Sequence, residues 1–148
     1  MPRRTIQERN ILFLCMDNSY ASPIAEAIAH RLAPPGTKVF SAGLFPSQIH
    51  PAASRVMQEV GIDISRHSTK GLDDIPIKEI DLVVALGELK GESPSLPTKT
   101  RVEHWSLPDP GRVSGGEAAI RAVFRSFRDE IDKRVAALFL DHWRNVAQ

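Results

Sequence analysis

The sequence has 148 residues, of which 42% are hydrophobic and 25% are charged, and its formal net charge is +1. This length favours one domain with its own buried core, and the small charge gives no overall attraction to nucleic acid or to an acidic membrane. The single cysteine, Cys15, excludes an intramolecular disulfide and a cysteine-based zinc cluster. We expect a cytoplasmic protein without a resident cofactor or metal, and without a nucleic-acid or membrane partner.

The chain begins with a polar segment that carries three arginines, residues 1–10, which we interpret as an N-terminal extension to one domain at 11–148. The apolar run that follows, 11–14, is too short for a signal peptide or a membrane span. It predicts a buried central strand that stops at Cys15. Ser22 and Pro23 are typical of a helix cap followed by the first helical residue, and this helix should end before Pro34.

Further along the chain, strand and helix patterns alternate. Residues 38–41 predict a second strand, and Pro51 opens a second helix with Gly61 as its left-handed C-cap. Three segments complete the pattern: a buried strand at 80–86, a weaker strand at 101–107, and a long helix with apolar positions from 119 to 138. The order predicts an α/β fold, a single three-layer domain with a central four-stranded parallel sheet and helices on both faces.

The loop after the first strand, residues 15–22 (CMDNSYAS), is the predicted ligand site, because ligands of parallel sheets bind beyond the carboxyl ends of the strands. Small and polar residues before a helix direct backbone N–H groups and the helix dipole at one point, where an oxyanion fits. The same groups should stabilise a Cys15 thiolate and lower its pKa. The alternative is a buried structural cysteine.

Residues 11–26, ILFLCMDNSYASPIAE, resemble the signature of the low-molecular-weight protein tyrosine phosphatases and the thioredoxin-coupled arsenate reductases that share their fold. In that signature a Cys-x5-Arg-Ser loop follows a strand. Five further segments occur in the order and spacing of the family: SAG at 41–43, HPAA at 50–53, GIDISRHSTK at 61–70, DLVVAL at 81–86 and WSLPDP at 105–110. The likeness spans about 11–140 and is greater to the reductase branch.

The resemblance implies a role for each matching position. Cys15 would be the nucleophile, and Asp109 would protonate the leaving group. Asn18 would brace the loop, and the Ser22 hydroxyl would help to stabilise the thiolate. The anion cradle, which would bind phosphate, arsenate or a similar oxyanion, would consist of Met16, Asp17, Asn18, Ser19, Tyr20, Ala21 and Ser22.

Three loop residues depart from the family pattern. Ala21 stands where the family has the arginine whose planar fork binds two oxygens of the substrate. Asp17 replaces a glycine, and its charge would repel a dianion and raise the thiolate pKa. Tyr20 stands where phosphatases have a second cysteine, and it could stack across the mouth of the site or pack on a neighbour. These changes predict impaired catalysis.

The relay cysteines of the thioredoxin-coupled reductases are also missing, since Leu86 and Ser93 occupy their positions. An internal disulfide relay is impossible with one cysteine. Reduction would therefore require an external thiol.

Other polar residues are weighed as accessories. Arg112 follows Asp109 on a glycine-containing loop, and we interpret it as the cation that could replace the missing arginine. We interpret Arg66, His67 and Lys70 as solvated surface charges. We interpret His50 and His104 as structural or surface residues.

Two hypotheses follow from these residues. The first is an arsenate reductase-like or phosphatase-like enzyme that uses Cys15 and Asp109. The second is a catalytically inactive relative that binds an oxyanion or a protein partner in a regulatory role, with a partner contacting the surface around Asp17 and Tyr20.

Overall fold

A computed structural model describes residues 9–89 and 95–147 of the chain. The sheet within these ranges has four strands: β1 (Arg9–Cys15), β2 (Thr37–Gly43), β3 (Leu82–Leu86) and β4 (Arg101–Trp105). Neighbouring strands are parallel throughout, in the order β2-β1-β3-β4. The predicted four-stranded parallel sheet is confirmed, and β1 lies in its interior.

Strand β1 starts two residues earlier than the hydrophobic run predicts. Asn10 donates from its backbone nitrogen to Asp81 Oδ2 at 2.8 Å and from Nδ2 to the Glu79 carbonyl at 2.8 Å. These bonds extend the strand through a polar residue, which a search for apolar runs does not detect. The first eight residues of the proposed N-terminal extension lie outside the described ranges.

The α-helices in the described ranges are α1 (Ala21–Leu32), α2 (Pro51–Gln58) and α3 (Glu117–Ala147), and short 3-10 turns lie at Leu72–Asp74, Ile77–Glu79 and Pro110–Arg112. After α2, Gly61 has a φ of +78° and the Ile62 N–H donates to the Met57 carbonyl at 3.0 Å. The left-handed glycine predicted at the end of this helix is confirmed.

Helix α1 begins two residues earlier than predicted, at Ala21, and its N-cap residue is Tyr20, which makes no capping hydrogen bond through its side chain. The predicted Ser22 cap is wrong. The Ser22 hydroxyl instead accepts a hydrogen bond from Asn18 Nδ2 at 2.7 Å and lies 2.9 Å from Cys15 Sγ. The sequence pattern of Ser before Pro thus serves the loop and not the helix end.

The two faces of the sheet have different coverings, because successive side chains of β1 point to opposite sides. Phe13 belongs to a core shared with all three α-helices, which contribute Ile24, Val56 and Phe124 among others. Leu12 and Leu14 belong to a second core with Ile75 and Ile80, around the 3-10 turns. Helices were predicted on both faces of the sheet. In the structure the three α-helices cover one face, and 3-10 turns cover the other.

No helix in the described ranges is long and apolar enough to cross a membrane.

Candidate active site

Cys15 is the last residue of β1, at the carboxyl edge of the sheet. Its side chain is only 5% exposed. Because β1 lies between β2 and β3, the loop that follows, residues 16–20, is flanked by the ends of two other strands. The thiol is therefore placed at the centre of the edge where ligands of parallel sheets bind.

The sulfur of Cys15 is surrounded by hydrogen-bonding groups. The Asn18 N–H donates to Sγ at 3.3 Å, and the Ser22 hydroxyl lies 2.9 Å from Sγ. Burial nevertheless raises the pKa of the Cys15 thiol, the charge of Asp17 raises it further, and hydrogen bonds from Ser22 and Asn18 lower it only in part. The expectation of a depressed thiol pKa is wrong, because desolvation of the thiolate outweighs these bonds.

We expect alkylation of Cys15 by iodoacetamide to be slow near neutral pH and to rise steeply toward and above pH 9, the ordinary value for the group, because the thiolate is the reacting form. Asp17→Asn should increase the rate at neutral pH, since it removes a nearby negative charge. Mass spectrometry of the alkylated protein from about pH 6 to about pH 10 measures both effects.

Asp63→Asn provides the matched control for this experiment. Asp63 Oδ1 accepts from the Ser65 N–H at 2.9 Å and from its hydroxyl at 2.6 Å, as Asp17 Oδ1 does from Ser19 at 3.1 and 2.7 Å. The control removes the same charge and the same kind of turn away from the thiol. An alkylation midpoint below about pH 8 in the wild type would contradict the raised pKa.

The loop is held from its outer side by the segment that follows β2, residues 44–50. The carbonyl of Cys15 and three loop carbonyls, those of Met16, Asp17 and Ser19, accept from the N–H groups of Leu44, Phe45, Ser47 and His50 at 3.1, 2.7, 2.9 and 2.9 Å. All four bonds join main-chain groups. The path of the loop is therefore fixed by backbone pairing that continues beyond the sheet.

Gly43 permits this close approach. A Cβ atom at position 43 would lie 2.5 Å from the Asn18 nitrogen and 2.6 Å from the Asp17 carbonyl carbon. Distances this short do not occur between a Cβ and backbone atoms, so only glycine allows the loop to lie against the end of β2.

Asn18 organises the inner side of the loop. It is fully buried and has a φ of +55°. Its Nδ2 donates to Ser22 Oγ at 2.7 Å and to Ser41 Oγ at 3.1 Å, and its Oδ1 accepts from the Lys70 N–H at 2.9 Å. A buried amide that is bonded at both ends fixes the loop against β2 and the segment before the first 3-10 turn.

His67 extends this network, and its interpretation as a surface charge is wrong. Its side chain is 12% exposed, with Nε2 3.1 Å from Asn18 Oδ1 and Nδ1 3.5 Å from Glu26 Oε1. Ser41 Oγ donates to the same Glu26 oxygen at 2.7 Å. Burial, followed by the charge of Lys70, lowers the pKa of His67. The family motif at 61–70 indicated that this segment belongs to the part of the fold that the family shares. The local sequence pattern around His67 did not indicate that its imidazole is turned toward the core.

Cys15 lines a cleft of about 490 Å³. Tyr20 contributes to its lining from the loop, and Ala21 contributes from the first turn of α1. The charged residues among the described lining are Asp17, Glu88, Asp109 and Arg112. Within that described lining, three carboxylates thus face one guanidinium.

Tyr20 both packs and reaches across the cleft, so it combines the two alternatives that the sequence left open. Its ring lies edge-on to Phe124 and Phe127, at centroid distances of 5.4 and 5.8 Å. Its hydroxyl donates to Asp109 Oδ1. Arg112 Nε lies 3.2 Å from Asp109 Oδ2. The structure therefore brings Cys15, Asp109 and Arg112 to one cleft.

The histidines weighed as structural or surface residues have such positions. His50 Nδ1 accepts from the Ala52 N–H at 3.1 Å and caps α2, and its ring packs on Phe124 at 4.7 Å. His104 is exposed on β4. Within the described residues, no group of three or more His, Cys, Asp or Glu side chains is arranged to hold a metal ion.

Fold and site together define a class of parallel α/β proteins in which a cysteine at the end of the first strand begins a loop that leads into a helix. The sequence profile of the low molecular weight phosphotyrosine protein phosphatases matches residues 10–148, and the chain belongs to this family.

Arsenate reductases are among the relatives. The arsenate reductase of Bacillus subtilis is 37% identical over 131 residues, which cover 88% of this chain and 94% of that protein. The arsenate reductase of Staphylococcus aureus is 38% identical over 125 residues, 84% of this chain and 91% of that protein. A solved structure of an arsenate reductase in the phosphate binding state matches with a TM-score of 0.73 and 31% identity, covering 90% of this chain and 98% of that one. The predicted fold and family are confirmed.

Proposed function

We propose that this chain is a cysteine-dependent enzyme that acts on arsenate or a closely similar tetrahedral oxyanion in the cytoplasm. The observation that carries the proposal is the placement of Cys15 Sγ, bound by Ser22 and Asn18, in a cleft that Asp109 also lines. The arsenate reductases among its relatives support arsenate as the substrate.

In the first step the Cys15 thiolate attacks arsenic, a sulfur–arsenic bond forms, and one arsenic–oxygen bond breaks. The departing oxygen leaves as water after Asp109 supplies a proton. The loop from Met16 to Ser22 would hold the remaining oxygens through its N–H groups, as helix N-termini do for anions.

The second step requires an external thiol, because the sequence contains one cysteine. This thiol attacks Cys15 sulfur, the sulfur–arsenic bond breaks, and its electron pair stays on arsenic, which leaves as arsenite. A second external thiol reduces the mixed disulfide and restores Cys15. With a phosphate ester, the Cys15 thiolate would attack phosphorus in the same way and the alcohol would leave with the proton from Asp109. Water would then hydrolyse the sulfur–phosphorus bond and release phosphate.

Turnover should be slow. Ala21 supplies no guanidinium, the raised pKa of Cys15 leaves little thiolate at neutral pH, and carboxylates line the cleft. The same features favour a second function, in which an inactive relative binds an oxyanion or a protein partner and does no chemistry.

The test measures arsenite formation with several small thiols, and hydrolysis of p-nitrophenyl phosphate, by the wild type and Cys15→Ser. Slow turnover in the wild type that depends on an added thiol and disappears in Cys15→Ser would support the enzyme. A wild type without turnover whose Cys15 is protected from alkylation by phosphate would support the binding function. If the wild type shows no turnover and phosphate does not protect Cys15 from alkylation, both oxyanion functions are excluded.

A further inference from the structure

The cleft contains a carboxylate bound by two donors from different elements. Tyr20, at the end of the loop, donates its hydroxyl hydrogen to Asp109 Oδ1. Arg112, on the 3-10 turn Pro110–Arg112, directs Nε to Asp109 Oδ2 at 3.2 Å. All three residues line the cleft with Cys15. A hydrogen bond from Tyr20 and an ion pair with Arg112 therefore converge on the two oxygens of one anion.

These donors suit a tetrahedral oxyanion equally well. A carboxylate presents two oxygens that share one negative charge, and guanidinium groups bind carboxylates and phosphates through the same geometry. Arg112 is the one basic side chain within the described lining of the cleft, and Ala21 offers no donor in its side chain. Beyond the backbone N–H groups of the loop, the side-chain donors in the described lining beside an oxyanion are therefore the two that Asp109 now holds.

We propose that the Tyr20 hydroxyl and the Arg112 guanidinium are the side-chain donors for the oxyanion in this chain, and that the Asp109 carboxylate competes with the oxyanion for them. The proposal deepens the proposed function, because it rests on an oxyanion binding in this cleft. It gives Tyr20 a binding role, and it makes Asp109 a competitor of the substrate in the resting cleft, which supplies its proton only after the oxyanion has displaced it from these donors.

Both donors are suited to the exchange. Burial and the neighbouring Asp109 raise the pKa of Tyr20, so its hydroxyl keeps its proton at neutral pH. Its ring is fixed by Phe124 and Phe127, which places the hydroxyl before a ligand arrives. Arg112 has a side chain that is 68% exposed, so it is able to reorient from Asp109 to an incoming anion with little loss of packing.

The test measures the affinity for inorganic phosphate by isothermal titration calorimetry. Asp109→Asn should bind phosphate about tenfold more tightly than the wild type, because it removes the competing charge and about 1.4 kcal/mol corresponds to tenfold. Tyr20→Phe keeps the packed ring and removes only the hydroxyl, and Arg112→Gln removes the guanidinium. Each of these two variants should bind about tenfold more weakly.

Arg134→Gln is the matched control for charge. Arg134 pairs with Glu130 at 3.2 Å and does not line the cleft, so its loss changes net charge without removing a donor. Its phosphate affinity should equal that of the wild type. Thermal unfolding of every variant checks that the fold is retained.

Three results would overturn the proposal: Asp109→Asn that binds phosphate no more tightly, Tyr20→Phe that binds as well as the wild type, or no phosphate binding in any of these proteins. The outcome is separable from that of the proposed reaction, because only binding is measured. The predicted order of affinities without any turnover would support the competition and reject the reaction. Turnover without the predicted order of phosphate affinities would support the reaction and reject the competition.

Discussion

Ala21→Arg is expected to raise the turnover of arsenate and of p-nitrophenyl phosphate about 10³-fold, near the lower end of the range of roughly 10³ to 10⁵ for an arginine finger in phosphoryl transfer. A planar guanidinium binds two oxygens of the substrate and neutralises charge in the transition state. Alanine supplies neither effect.

The structure has room for the longer side chain. Ala21 is the first residue of α1, and although it is only 7% exposed it lines the cleft of about 490 Å³, into which the longer side chain of an arginine would have to extend. It would also offset the charges of Asp17 and Glu88. We therefore expect the gain in both kcat and kcat/KM, with some lowering of the Cys15 pKa by the added positive charge.

Ala21→Gln is the matched control, since it adds a long polar side chain that has neither the positive charge nor the planar guanidinium group of arginine. Steady-state rates of the two variants, each also made with Cys15→Ser, separate the guanidinium from simple filling of the cleft. If Ala21→Arg were no faster than Ala21→Gln, the missing guanidinium would not be what limits this chain.

Gly43→Ala should destabilise the protein by about 3 kcal/mol, at the upper end of the usual cost of forcing extra atoms into a packed site. The added Cβ would meet backbone atoms of Asp17 and Asn18 at 2.5 to 2.9 Å. Main-chain atoms held by several hydrogen bonds cannot move aside as a flexible side chain does. The loop should therefore shift, and Cys15 should lose its contacts with Asn18 and Ser22.

Urea unfolding measures the stability change, and the pH dependence of Cys15 alkylation reports on the loop. Gly116→Ala is the control, because a Cβ there meets nothing within 4 Å and should cost less than about 1 kcal/mol at the start of α3. Equal stability losses in Gly43→Ala and Gly116→Ala would show that the loop tolerates a larger residue beside it.

Hydrophobic patterning was enough to predict the parallel sheet and its helices, because burial of runs such as 11–14 and 82–86 is a local property of the chain. Boundaries were less predictable where polar contacts decide them. Strand β1 extends to Arg9 beyond its apolar run, and Ser22 looks like a cap but bonds to Asn18 and Cys15.

The site was predictable in its position and less so in its electrostatics. Family resemblance directed attention to Cys15 and Asp109, which line one cleft. The inward turn of His67 depends on a contact with Asn18, 49 residues away in sequence, and the raised pKa of Cys15 depends on the depth of its burial. Neither property is encoded in local spacing.

The hydrogen bonds between the loop carbonyls and the segment at 44–50 have an evolutionary consequence. They use main-chain groups, which every substitution other than proline leaves in place. The path of the outer side of the loop thereby depends little on the side chains at positions such as 17 and 21. A lineage can therefore exchange residues such as Ala21 or Asp17 while the backbone scaffold around Cys15 persists.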